Sequence, residues 1–190
     1  MNDLTSRLDE PLPQIKITCT SVDCENDLHC FLQKRRSGNK PAFGPCRACD
    51  ADLVDWQRAH ERDPDRIDAL FADMRTEKIR EHMWSQPFDG DALRKVRKHD
   101  RQTLHAKVRK RIASSVGKSA GVYDGRQTAM KGDVVLYAQH ATATCCRQCI
   151  LYWHGIPKNV ELKDDEKEYL CLLVDRYLDA RVGDDMLRGS

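Results

Sequence analysis

The chain has 190 residues, a formal charge of +2, 33% charged residues and 6% aromatic residues. That length fits one domain with an appended module, and the recurring Leu, Ile, Val and Met exclude wholesale disorder. The opening "MNDLTSRLDEPLPQIK" has neither a basic nor an apolar signal region, and no apolar run approaches the roughly 18 residues of a spanning helix. These features predict a cytoplasmic protein with no membrane partner.

Nine cysteines dominate the chemistry. In a reducing compartment, close-spaced cysteines point to metal before disulfides. Residues 1–16 are expected to be a flexible N-terminus, and 17–62 a Cys-rich module resembling a zinc ribbon. Within that module Cys24 and Cys30 form a C-x5-C pair, and Cys46 and Cys49 a C-x2-C pair, separated by a Gly- and Pro-containing loop. Two such knuckles supply the four thiolates that tetrahedral zinc takes, and a site closed by four protein ligands is structural rather than catalytic. The preferred set is Cys24, Cys30, Cys46 and Cys49. Cys19 competes for the first pair, and His29 competes as a ligand.

A mostly helical α+β domain is expected over 63–183, with 184–190 a tail. Asp63 can cap a helix with Pro64 at its first position, and Ile67, Leu70, Phe71, Met74 and Met83 form a helical apolar stripe to about Trp84. After a turn at "SQPFDGD", the apolar positions Leu93, Val96, Leu104, Val108 and Ile112 continue the pattern. Arg94, Lys95, Arg97, Lys98, Arg101, Lys107, Arg109, Lys110 and Arg111 face a single acid, Asp100, so nine cations less one anion give this segment about +8 of local charge. Such asymmetry points to contact with a nucleic-acid backbone. The opposing reading is a solvated helix balanced by the acidic C-terminal third, because at about 100° per residue these cations fall nearly all round the helix.

The second cluster follows a turn-rich stretch. "VVLYAQHATA" has the bias of a short β-strand with His140 near its end. Thr144 is a plausible N-cap, which would put Cys145 and Cys146 in the first turn of a helix, Cys149 one turn later and Gly155 at the C-cap. Strand, loop and helix of this kind resemble half of a treble-clef zinc module. His140, Cys145, Cys146 and Cys149 are therefore candidate ligands of a second zinc. His154 is harder to include, because it lies about 12 Å along the helix from Cys146 at 1.5 Å per residue. A reactive thiolate with His140 as base, and plain packing, are the competing readings. A final helix from about Asp164 to Val182 buries Tyr169, Leu170, Leu173, Val174, Tyr177 and Leu178, with Cys171 as packing.

The words "DGRQTAMKGD", "AQHATATCCRQC" and "WHGIP" resemble a family of bacterial proteins of unknown function, over about residues 65–182. Residues 15–62 resemble an extension carried by a longer subset of that family. The chain departs from the family pattern at Ala129, where proline is expected, and at Lys163, where a capping threonine is expected. The resemblance implies that His140, Cys145, Cys146, Cys149, Trp153, His154 and Gly155 belong to one motif, and it carries no activity.

These readings predict a zinc-binding protein with two sites that acts as a nucleic-acid-associated or protein-interaction module. The alternative is a metal-dependent hydrolase or nuclease, because "QHATATCCRQC" superficially resembles HNH-type endonucleases, with His140 as base and His154 or Asp124 as its partner. A redox role ranks last, since adjacent Cys145 and Cys146 would form a strained disulfide.

Overall fold

The computed structural model describes residues 17–33, 41–118 and 128–188. Among them are eight α-helices: α1 (Trp56–His60), α2 (Ile67–Arg75), α3 (Lys78–Ser85), α4 (Gly90–Val96), α5 (Arg101–Ser114), α6 (Val134–Ala141), α7 (Arg147–His154) and α8 (Asp164–Arg181). Aspartates start many of these elements. Asp55, Asp89, Asp100 and Asp133 each accept a backbone N–H in the first turn of α1, α4, α5 and α6, and Asp63 does the same for the single-turn helix Pro64–Arg66. A cap of this kind contributes about 1 kcal/mol.

The core is built around α6, which packs against α3, α4 and α8, while α5 lies along α8. All of α6 except Leu136 is buried, including Gln139 and His140. This corrects the strand expected at "VVLYAQHATA". The β-branched and aromatic residues there are buried on every side of a helix, and a helix covered all round needs no polar face, so tertiary packing overrides the local strand bias. Among the described residues the only extended pairings are the isolated bridges Asp23 to Leu28 and His29 to Glu77, so the expected β element and ribbon hairpins are not present there.

Two helix boundaries also differ from the periodic pattern. The stripe from Ile67 to Met83 is interrupted at Thr76 and Glu77, which separate α2 from α3. His29 pairs with this break through its backbone, accepting from Lys78 N (3.0 Å) and donating to Thr76 O (2.8 Å). The N-cap of α7 is Cys146 rather than Thr144, so Cys145 and Cys146 precede the helix. Gly155 ends α7 at φ +64°, and a Cβ there would stand 3.0 to 3.3 Å from the His60 ring. Left-handed backbone and a crowded neighbour together require glycine.

Aromatic rings fasten the N-terminal segment to the helices. Phe31 meets Trp153 at 6.2 Å, Trp56 meets Trp153 at 5.2 Å, and Phe43 lies 5.0 Å from Trp56 and 4.6 Å from His60. Rings at such distances add about 0.5–1.5 kcal/mol per pair beyond the area they bury. Tyr169, Leu170, Cys171, Leu173, Val174, Tyr177 and Leu178 are all buried along α8.

Candidate metal centres

All nine cysteines are free thiols, and seven of the eight outside α8 gather into groups with metal-ligand spacing or touch one. In the first group the ligand atoms of Cys24, His29, Cys46 and Cys49 lie within 4.8 Å of one another. Cys24 Sγ is 3.8 Å from Cys46 Sγ, and Cys49 Sγ is 3.4 Å from His29 Nδ1. Four zinc–sulfur bonds of 2.3 Å in a tetrahedron put neighbouring sulfurs about 3.8 Å apart, with a slightly shorter edge to a ring nitrogen. The side chains therefore fit one tetrahedral ion.

Local backbone explains the fit. Cys24 begins a single-turn helix closed by Asp27 at φ +55°, and the bridge from Asp23 to Leu28 delivers His29 five residues on. Cys46 and Cys49 stand in a turn that Asp50 ends at φ +58°. Burial raises the Cys46 thiol, but N–H groups of Cys30, Ala48 and Cys49 and the ring of His29 outweigh it and bring it down to about 6. Cys24, losing hydration beside Cys49 and Cys46, is pushed up to about 12. The two thiols are electrostatically linked, and a bound cation favours the thiolate form of both.

The expected ligand Cys30 lies outside this group, and His29 stands in its place. Cys30 is fully buried, and its Sγ donates to the carbonyl of Cys19 at 3.2 Å. The reason is alternation: in the extended segment after His29, consecutive side chains point to opposite sides, so one residue reaches the cluster and the next enters the core.

The second group holds Cys145, Cys146 and Cys149, whose sulfurs also lie within 4.8 Å of one another, with Cys145 to Cys149 at 3.5 Å. None of the three is more than 2% exposed. The chain turns sharply out of α6 through Ala143 at φ +55°, and Thr144 N returns to Gln139 O at 2.8 Å in the six-to-one bond that closes a helix end. Hydrogen bonds from Cys145 and Cys149, together with the N–H of Cys149, carry the Cys146 thiol down to about 3 despite burial. Cys145 is held well above its ordinary range by the thiols of Cys146, Cys149 and Cys19.

His140 and His154, expected as ligands of this group, stand outside it. Each donates Nε2–H to a carbonyl, His140 to Thr128 O at 3.1 Å and His154 to Thr142 O at 3.0 Å, and these bonds hold the loops that flank the cysteines. Burial lowers both rings, His154 to about 3 and His140 with help from the nearby Arg80 charge, so both are neutral. The expected strand would have aimed His140 at the loop; on a helix it faces the core. Asp124, the other expected partner, lies outside the described residues.

A polar core that sequence patterning did not reveal supports the second group. Glu77 and Arg80 are both fully buried. Glu77 accepts from Tyr152 OH at 2.8 Å, Trp153 Nε1 at 3.0 Å and Arg80 Nε at 3.0 Å. Arg80 Nη2 donates to Tyr152 OH at 2.9 Å and to Cys149 Sγ at 3.3 Å, and Nη1 donates to the carbonyl of His140. A Glu and an Arg three apart have the spacing of an exposed helix pair, so the sequence carries no sign of their burial.

The basic segment divides between two surroundings. Arg101 and His105 pair with Asp179, Arg101 also with Asp184, and Arg109 with Asp175 and Glu168, so one side of α5 is neutralised largely by α8. Arg94 pairs with Asp91. Lys95, Lys107, Lys110 and Arg111 instead line an open groove of about 430 Å³ beside the start of α6, where Asp133 holds Lys107 at 2.7 Å. Arg97 and Lys98 are exposed. No helix among the described residues is long and apolar enough to cross a membrane.

A family model described as "Domain of unknown function (DUF4186)" matches residues 68–179, which takes in α2 to α7, most of α8 and the second cysteine group. No solved structure matches the chain.

Proposed function

The chain belongs to the DUF4186 family of unknown function, and from that premise we propose that it is a zinc-binding protein whose two centres are structural and whose outward role is binding rather than catalysis. The observation that carries this reading is that the ligand atoms of each group lie within 4.8 Å of one another, with neighbouring pairs at 3.8 and 3.4 Å in the first and 3.5 Å in the second. Thiolate and imidazole donors suit zinc best among the common divalent cations. Spacing this short also argues against a multinuclear iron–sulfur cluster, which spreads its cysteines over several metal atoms. The first centre has three thiolates and an imidazole, a ligand set that leaves no position for water.

Against the hydrolase alternative stand the burial of the second group and the placement of His140 and His154 outside its three sulfurs. For the outward role, the groove of Lys95, Lys107, Lys110 and Arg111 favours a nucleic-acid backbone as partner: four cations against Asp133 surround an open concavity. The cations on the other side of α5 are engaged with α8 and contribute little to it.

The test of the metal reading is chelation. Stripping zinc from the reduced, full-length protein should collapse the near-ultraviolet dichroism of Trp56 and Trp153, since both pack where the N-terminal segment meets α7. A chain that keeps this signal when freed of metal would overturn the structural role.

A further inference from the structure

The second group as described contributes three sulfurs, and a tetrahedral zinc takes four ligands. The fourth has to reach a pocket closed by α3, α7 and the loop after α6. Cys19 does so. It is 7% exposed, and its thiol interacts electrostatically with those of Cys145 and Cys149, at the border of the three-sulfur group. Its carbonyl is fixed by Cys30 Sγ at 3.2 Å. This gives a reason for a buried cysteine at position 30 that takes no part in the first group.

We infer that Cys19 is the fourth ligand of the second centre, which is therefore a tetrathiolate zinc site shared between the N-terminal segment and the DUF4186 domain. The inference rests on the two-centre reading proposed above and assigns the ligand that closes one of them. Charge supports the assignment. Four thiolates around a divalent cation carry a net charge of −2, and a buried dianion requires compensation. Arg80 is the cation in place, with Nη2 3.3 Å from Cys149 Sγ. His140 is the competing donor: its Nε2–H goes to Thr128 O and its Nδ1 is buried without a partner, but its ring does not fall within the 4.8 Å group of the three sulfurs, and a nitrogen in place of the Cys19 sulfur would leave the centre without an all-sulfur ligand set.

Connectivity gives the site its role. In chain order the ligands run Cys19 to the second centre, then Cys24, His29, Cys46 and Cys49 to the first, then Cys145, Cys146 and Cys149 to the second. The centres are interleaved rather than modular. Zinc at the second closes a loop of more than one hundred residues between Cys19 and Cys145, the kind of long-range link that stabilises most by restricting the unfolded chain. The N-terminal segment is thus a part of the family domain's core, held to it by metal as well as by Phe31 against Trp153.

Substituting 113Cd into the full-length protein tests this, because the cadmium resonance moves with the number of thiolate ligands. The wild-type chain should bind two cadmium ions and show one all-sulfur resonance and one displaced upfield by the His29 nitrogen. Cys19→Ser should move the all-sulfur resonance upfield and leave the other in place. Cys19→His, which keeps a ligand, should retain two cadmium ions with the same resonance displaced. Two bound ions with no all-sulfur resonance in the wild type would overturn the inference even if neither variant folds, as would an all-sulfur resonance that Cys19→Ser leaves unmoved. A wild-type chain that binds fewer than two ions contradicts the two-centre reading itself, and this inference with it.

Discussion

Arg80 Nη2 donates to Cys149 Sγ at 3.3 Å, from the guanidinium whose Nε donates to Glu77 at 3.0 Å. The two centres are connected through this pair. His29 is hydrogen-bonded through its backbone to Thr76 and Lys78, on either side of Glu77, and Glu77 orients the arginine that faces the second centre. Ligand side chains keep their geometry when the groups behind them are fixed.

Removing the arginine tests that connection. Arg80→Met leaves the Glu77 carboxylate buried without its cation, and breaking one partner of such a pair costs about 3–5 kcal/mol. Urea denaturation should show that loss. The double variant Arg80→Met, Glu77→Gln should recover part of it, since the unpaired Glu77 carboxylate is then gone. Equal stability of the single and double variants would contradict the coupling.

Cys30 and His29 are neighbours in the chain with opposite expected behaviour. Cys30→Ala should keep the full metal content, because its sulfur contacts the Cys19 carbonyl and not the first group. His29→Ala should release the metal of the first centre, whose Nδ1 corner it vacates. Elemental analysis after gel filtration against a mild chelator distinguishes them. Loss of metal from Cys30→Ala with retention in His29→Ala would restore the four-cysteine set read from spacing.

That reversal shows how much of the site was legible. Clusters of Cys at short spacing in a polar stretch stood out, because thiols among Asp, Asn and Gly have no packing reason to be there. The choice between His29 and Cys30 was not legible, because it depends on which side of an extended segment faces the knuckle at Cys46. Cys19 was visible as a competitor for the first pair but not as a neighbour of residues over one hundred positions away. For the fold, the apolar spacing of α2 to α5 and α8 located their buried faces. At α6, burial on all sides removes the periodicity that separates helix from strand. His140 was misplaced with it.

Stability should fall on acidification partly through His154. Burial holds its folded pKa near 3, below the ordinary value near 6.5, so the unfolded chain binds the extra proton first. The neutral ring's contribution is complete above about pH 6.5 and is lost as pH falls from there toward 3. His154→Gln can still donate to the Thr142 carbonyl but does not titrate. Thermal melts of the variant between about pH 7.5 and 5.5 should therefore show a shallower decline than the wild type. Parallel declines would assign the pH dependence elsewhere.

The groove beside α6 and the far side of α5 should respond differently to substitution. Lys110→Glu with Arg111→Glu should abolish binding of a DNA or RNA oligonucleotide that the wild type holds at low salt, and the wild-type affinity should fall steeply as salt rises. Arg109→Ala, on the α8 side, should change that affinity far less. Being half exposed, its ion pairs contribute no more than about 1 kcal/mol of stability. Anisotropy titrations across salt concentrations provide the comparison, and absence of wild-type binding at low salt would remove the nucleic-acid role.

Native mass spectrometry of the reduced, full-length protein measures directly whether the fold is built on two metal centres. The folded charge-state distribution should carry two zinc ions per chain, both lost on denaturation in acid. A folded, metal-free chain as the dominant species would contradict it.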